Sequence, residues 1–168
     1  MIRRGFTIVE LIITITIMGI LLTLAVVNVN TTQLKSRDNE RKADVESIAT
    51  ALESFFSIGG NNPMPLGRYP SIGLVSPGNV VLNLRDVDLK SFTAPGAASS
   101  DATFIAATNN VQTAVGILPA PTISTYVYQP IKSDGTLCLS SDVDCRKYNI
   151  FYRLEVDNAV YKLTSKNQ

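Results

Sequence analysis

One acid in a long apolar run constrains this chain more than any other feature. From Phe6 to Val27 the sequence reads FTIVELIITITIMGILLTLAVV, and Glu10 is its single ionisable side chain. As a helix, about 22 residues extend roughly 33 Å, enough to cross a hydrocarbon core of about 30 Å. β-branched Ile and Thr are mediocre helix formers in water. In lipid, however, every backbone polar group must be bonded within the segment, and that requirement overrides propensity. Arg3 and Arg4 precede the run, so the positive-inside rule holds the N-terminus in the cytoplasm and places the rest of the chain outside.

Three readings of the run compete. A secretory signal peptide needs an apolar core of about 7–15 residues and a small-x-small cleavage site. Thr23-Leu24-Ala25 resembles such a site weakly, but the run is too long. A plain single-pass anchor fits length and flanks yet leaves Glu10 unexplained, since a carboxylate in hydrocarbon costs several kcal/mol unless neutralised or paired. The third reading uses the charge. Cleavage after Gly5 makes Phe6 a new N-terminus with a positive α-amino group, and Glu10 then lies just over one helical turn away, at the helix end that favours an anion. Between two staggered copies, Glu10 of one meets the amine of Phe6 in the next, desolvating both charges together and fixing the axial register.

Gly5-Phe6-Thr7-Ile8-Val9-Glu10-Leu11 resembles the processing motif of type IV pilins and of the pseudopilins of type II secretion, and Met1–Arg4 is similar to their short basic leaders. The resemblance is tight over residues 5–29, fair to about residue 70 and loose beyond. It implies that a membrane-embedded aspartyl prepilin peptidase cuts after Gly5, that Phe6 is N-methylated, and that Glu10 is the assembly carboxylate. Many members carry a helix-kinking proline later in the run, where this chain has Val27, so a straighter membrane helix is expected.

Beyond Asn28 the chain becomes charged: Lys35, Arg37, Asp38, Glu40, Arg41, Lys42, Asp44 and Glu46 cancel to zero. Asp38 and Lys42 have the favoured acid-first i,i+4 spacing, worth a few tenths of a kcal/mol. The stretch reads as a solvated helix face or, in a filament, as a source of inter-subunit ion pairs. Val45, Ile48, Ala49, Leu52, Phe55 and Phe56 then recur at helical spacing as one apolar stripe. Gly59-Gly60-Asn61 and Pro63 end the helix. The expected organisation is a leader at 1–5, one helix over 6–57 (membrane or filament core at 6–29, amphipathic at 30–57), and a globular head at 58–168.

In the head, 59–79 reads as a long loop, and Val80–Leu84 as an edge strand or buried loop. Ser100 or Asp101 is a candidate cap for a short helix running to Thr113. Tyr126–Pro130 reads as a strand. Tyr148–Val156 alternates, and with Asp157-Asn158 as a two-residue turn it pairs Val156 with Ala159, Leu154 with Tyr161 and Tyr152 with Leu163, apolar on one face. Three antiparallel strands against the helix stripe make an α+β, pilin-like fold.

Cys138 and Cys145 lie on the extracytoplasmic side by the orientation argument, where thiols oxidise, so a disulfide is expected, with free thiols as the alternative. Asp134, Asp142 and Asp144 form an acidic cluster. Some pseudopilins bind calcium near their C-terminus, so a calcium loop stands beside the reading of solvated turn residues; EF-hand spacing is absent. Otherwise no metal or cofactor is expected. The chain has no His and a formal net charge of +1, which removes histidine-based catalysis and metal binding and gives no field for nucleic acid.

The function expected is a structural subunit of a type IV pilus, not an enzyme. It is made in the cytoplasmic membrane as a single-pass precursor and moved to a cell-surface filament. The partners are other copies of itself, membrane lipid before assembly, the prepilin peptidase, the assembly machinery and minor pilins. Adhesion, twitching motility and DNA uptake come with the resemblance. The alternatives are a type II secretion pseudopilin driving protein export and, more remotely, a membrane-tethered enzyme or binding protein.

Overall fold

The computed structural model describes residues 5–60, 66–74, 84, 87–98, 103–139 and 144–167. Its first element, α1, is one helix over Ile8–Ile58. Contacts divide the chain into two compact units, residues 1–36 and 37–168. The second half of α1 is therefore part of the head's own core.

In the first unit the helix carries its apolar side chains from Ile8 to Leu24 in the open. Thr7 caps it: its hydroxyl accepts the Glu10 N–H at 3.2 Å, and its carbonyl accepts the Leu11 N–H at 3.2 Å. That is the side-chain capping that satisfies an otherwise orphaned donor of the first turn. At the other end, Gly59 adopts φ +77° and its N–H bonds the Phe55 carbonyl at 2.9 Å. This left-handed residue ends the helix at the place the glycine pair marks.

The head carries one four-stranded sheet in the order β1-β2-β3-β4, namely Phe104–Ala106, Tyr126–Lys132, Cys145–Arg153 and Val160–Thr164. The expected apolar stripe is the face that α1 turns to the sheet. Val45, Ile48, Leu52 and Phe55 are buried together with Phe104, Tyr126, Tyr128, Tyr148 and Ile150. Four tyrosines are buried in this core, and each of their phenols finds an acceptor. Tyr126 donates to Asp44 at 2.8 Å and Tyr128 to the Pro70 carbonyl at 2.7 Å. Tyr69 and Tyr148 both donate to Glu53, at 2.8 and 3.1 Å. Without acceptors such burial would cost about 1–3 kcal/mol per hydroxyl. The opposite face of the sheet has a smaller cluster of Ala107, Ile117, Val127 and Phe151.

Four expectations for the head need correction. The sheet has a fourth strand, and β1 pairs with β2 in parallel, Phe104 opposite Tyr126. That strand stands inside the segment expected to be a short helix ending at Thr113; its proposed caps, Ser100 and Asp101, lie outside the described residues. Local side-chain bonding defeats a helix there. Asn109 accepts the Leu118 N–H and donates to the Gly116 carbonyl, and Asn110 accepts the Leu137 N–H at 2.7 Å. Asparagine bonding of this kind competes with helical bonding. Of Val80–Leu84 only Leu84 is described, and it is buried.

The β3–β4 hairpin is displaced by two residues from the expected register. Tyr152 faces Tyr161 and Ile150 faces Leu163, and the Leu154 N–H to Ala159 carbonyl bond closes a loop over 155–158. An even shift leaves each side chain on its expected face, so apolar alternation alone does not distinguish the two registers. The deciding contacts come from the helix. Asp38 accepts the N–H groups of Glu155 and Val156 at 2.8 and 2.9 Å, taking both residues out of the strand. Asn158 supplies the positive φ, 54°.

The charged stretch of α1 is the last correction. Asp38 and Arg41 are buried. Asp38 pairs with Arg41 at 3.1 Å, whereas its expected partner Lys42 is exposed. Arg37 grips Glu155 through two bonds of 2.8 and 2.6 Å, and Arg41 reaches the same carboxylate at 2.5 Å. The remaining donors of Arg41 meet the carbonyls of Ile123 and Pro95.

Candidate assembly segment

The N-terminal unit holds the residues singled out for function. Gly5, Phe6 and Thr7 lead into α1, and Glu10 lies in its first turn. All four are exposed. A Cβ at Gly5 meets nothing within 4 Å, so folding places no demand for glycine there; any demand comes from what reads the sequence. The Phe6 ring is 81% exposed.

Glu10 presents an exposed side chain. Thr7 satisfies its backbone N–H, while its carboxylate has no hydrogen-bond or ionic partner among the described residues. Ile8, Val9, Leu11, Ile12 and Ile13 around it are all exposed. An unpaired carboxylate among apolar side chains suits a partner that brings one positive charge and its own apolar surface.

The hydroxyls in the run are disposed of internally. Thr14, Thr16 and Thr23 each donate at 2.8 Å to a carbonyl three or four residues back, on Leu11, Ile12 and Ile20. Bonded in this way they present methyl groups outward, which fits lipid or a helix bundle. α1 holds one apolar stretch long enough to cross a membrane, and none of that stretch is covered within the structure. The helix is continuous through Val27, as expected where no proline interrupts it.

Cys138 and Cys145 form the expected disulfide, with Cα atoms 5.7 Å apart. Both are fully buried. The Tyr69 N–H bonds the Cys145 carbonyl at 2.8 Å, and the Ile72 N–H meets the Cys138 carbonyl at 3.4 Å. The bridge therefore seats the loop that leaves α1 on the sheet. Of the acidic cluster, Asp142 lies outside the described residues. Asp134 accepts the N–H and hydroxyl of Thr136 at 2.9 and 2.6 Å, and these bonds hold its carboxyl below the usual range. Asp144 pairs with Arg146 at 2.6 Å and stands 3.8 Å from Arg68. Two arginines beside one carboxylate disfavour a cation there.

Residues 1–26 match the family model described as the prokaryotic N-terminal methylation motif. A curated relative, the type IV major pilin protein PilA of Myxococcus xanthus strain DK1622, is 43% identical over 55 residues. The alignment takes in 33% of this chain and 25% of that protein, so the chain spans about a quarter of the length of the curated relative it matches. No solved structure matches. The family model falls on the N-terminal segment, and the chain is similar to a type IV major pilin over those 55 residues.

Sequence reasoning missed two features of the chain, one in each unit. The Thr7 cap was legible as Thr-x-x-Glu ahead of an apolar run. The clasp of Asp38, Arg41 and Glu155 was not, because Glu155 lies more than a hundred residues from the other two.

Proposed function

We propose that this protein is a structural subunit of a type IV pilus, polymerised through α1 after removal of residues 1–5. In this reading the prepilin peptidase cuts after Gly5 and Phe6 is N-methylated. Arg3 and Arg4 hold the precursor with its N-terminus in the cytoplasm and its head outside. Assembly transfers α1 from lipid to a core of like helices, with the head at the filament surface. The observation that carries the reading is Glu10: one carboxylate, unpartnered among the described residues, in an otherwise apolar and uncovered stretch of α1. Its counter-ion is the α-amine of Phe6 in a neighbouring copy. The assembly machinery and minor pilins are the further partners, and adhesion, twitching motility or DNA uptake the roles such a filament serves. A structural role, not an enzymatic one, accords with the lack of any histidine.

A type II secretion pseudopilin would share the same N-terminal chemistry. The Cys138–Cys145 bridge favours the pilus subunit, since major pseudopilins more often rely on calcium in that part of the head.

Two variants test the reading in cells. Gly5→Leu is expected to accumulate in the membrane as a precursor retaining Met1, by mass spectrometry of the intact chain. Glu10→Val is expected to be inserted and processed normally yet to yield few or no filaments in sheared material viewed by electron microscopy. Abundant normal fibres from Glu10→Val would remove the charge-pair basis of assembly.

A further inference from the structure

The face of the sheet turned away from α1 carries a polar cleft of about 230 Å³. Lys147 and Asn149 on β3 and Lys162 and Thr164 on β4 line it, with Gln112 from the loop over β2. In this antiparallel pair Asn149 is directly opposite Thr164. Residues two apart along a strand share a face, so Lys147 stands beyond one end of the Asn149–Thr164 pair and Lys162 beyond the other. Among the described residues no carboxylate lines the cleft.

The cleft is built on fixed parts. Gln129, 1% exposed, donates to the carbonyls of Asn109 and Val111 at 2.9 Å each, which pins the covering loop. Its amide oxygen accepts from Asn149 at 2.9 Å. Gln112 is tied to the Gly135 carbonyl at 3.0 Å, and its own carbonyl accepts from the Lys162 ammonium at 3.1 Å. Lys162 is thus aimed along the cleft with donors to spare. Lys147 is exposed and has no ionic or hydrogen-bond partner among the described residues; neither has the Thr164 hydroxyl. Two ammonium groups and a hydroxyl around one small space, with no competing acid among the described residues, are donors for a compact anion of two negative charges.

We propose that this cleft binds a phosphate monoester group. Lys147 and Lys162 would contribute the two charges and Thr164 a neutral donor. A phosphodiester, with one negative charge, satisfies only one of the two ammoniums and should bind more weakly. Free phosphate and a phosphorylated sugar or glycerol offer the same group.

The full-length chain in a non-ionic detergent micelle, labelled with 15N, tests this at constant ionic strength. The probes are inorganic phosphate, glycerol 3-phosphate and dimethyl phosphate. Saturable amide shifts confined to Lys147, Asn149, Lys162 and Thr164 are expected with the first two. Binding of dimethyl phosphate is expected to be at least tenfold weaker. Saturation with inorganic phosphate but not glycerol 3-phosphate would restrict the ligand to the free ion and overturn the monoester assignment. Lys147→Gln with Lys162→Gln should weaken phosphate at least tenfold with the spectrum otherwise unchanged, and the corresponding Arg pair should retain it. Shifts that never saturate, that persist in the Gln pair, or that are equal for dimethyl phosphate overturn the proposal.

Discussion

Asp38 on the helix accepts the backbone N–H of Glu155 at 2.8 Å, although 117 positions separate them. The second oxygen of the same carboxylate takes the N–H of Val156. One acid thereby fixes the tip of the terminal hairpin to α1, and the Glu155 carboxylate returns the contact through Arg37 and Arg41. The network is closed: among the described residues, no buried side-chain nitrogen or oxygen lacks a partner.

Asp38→Ala is expected to cost about 2–4 kcal/mol of head stability, because it strands two backbone donors and removes one counter-charge from the buried Arg41. Asp38→Asn keeps an acceptor for one of those N–H groups and should cost less. The ordered tyrosines of the core make near-UV circular dichroism of the full-length chain in micelles a direct readout. Equal midpoints for Asp38→Ala and the parent would mean that the clasp contributes nothing.

Acid should loosen this clasp before it affects the disulfide region. Hydrogen bonds from Arg37, followed by those from Arg41, lower the Glu155 pKa from 4.5 to about 2. A depressed folded-state value means the contribution is complete above about pH 4.5 and is lost as pH falls towards 2. Asp44 works the other way, since burial raises its pKa. The comparison with Glu155→Gln isolates the clasp: the parent should lose stability more steeply than that variant between pH 4.5 and 2. Parallel curves would assign the acid sensitivity elsewhere.

What could be read from the sequence follows from how local each determinant is. The apolar stripe from Val45 to Phe55 repeats every three or four residues within one element, and the glycine pair after Ile58 stops the helix by its own backbone freedom. Both are local and both were legible, as was the lone acid at Glu10. The hairpin register depended on Asp38, which no pattern within 148–164 contains. β1 is three residues long, too short for alternation to stand out, and its parallel partner lies some twenty residues on. The loop closed by Asn109 and Asn110 depends on side-chain bonds to Gly116, Leu118 and Leu137, none of which has a periodic signal.

Removing the bridge tests what it holds. Cys138 and Cys145 are seven residues apart, and closing a loop of that size is worth roughly 2–3 kcal/mol through the unfolded chain. Cys138→Ala with Cys145→Ala is expected to lower stability by about that amount. Hydrogen exchange should rise first at Tyr69 and Ile72, whose N–H groups bond the two cysteine carbonyls. Uniform acceleration across the head, with no preference for that loop, would deny the bridge its seating role.

Glu53 gathers the other end of the core. Its two oxygens accept from Tyr69, Tyr148, the Lys166 N–H and the Asn167 amide, at 2.8, 3.1, 2.9 and 2.8 Å. A carboxylate with four donors is a junction of α1, the loop after it, β3 and the segment following β4. Glu53→Gln keeps the size but loses the charge, and its amide nitrogen can only donate; a tyrosine hydroxyl can turn to accept from it, whereas the Lys166 N–H or the Asn167 amide that shared that oxygen is left without its acceptor, so the 166–167 segment lets go. The expected loss is about 2–3 kcal/mol, at the scale of hydrogen bonds to a charged group. Glu53→Ala should lose more, because it strands both phenols. The two effects separate in proteolysis: Glu53→Gln should make residues 165–167 cleavable while the tyrosine near-UV signal persists, whereas Glu53→Ala should diminish both. If residues 165–167 stay protected in Glu53→Ala, that segment is held by Ser165 and the Tyr148 backbone, which bond at 3.0 Å, and not by the glutamate.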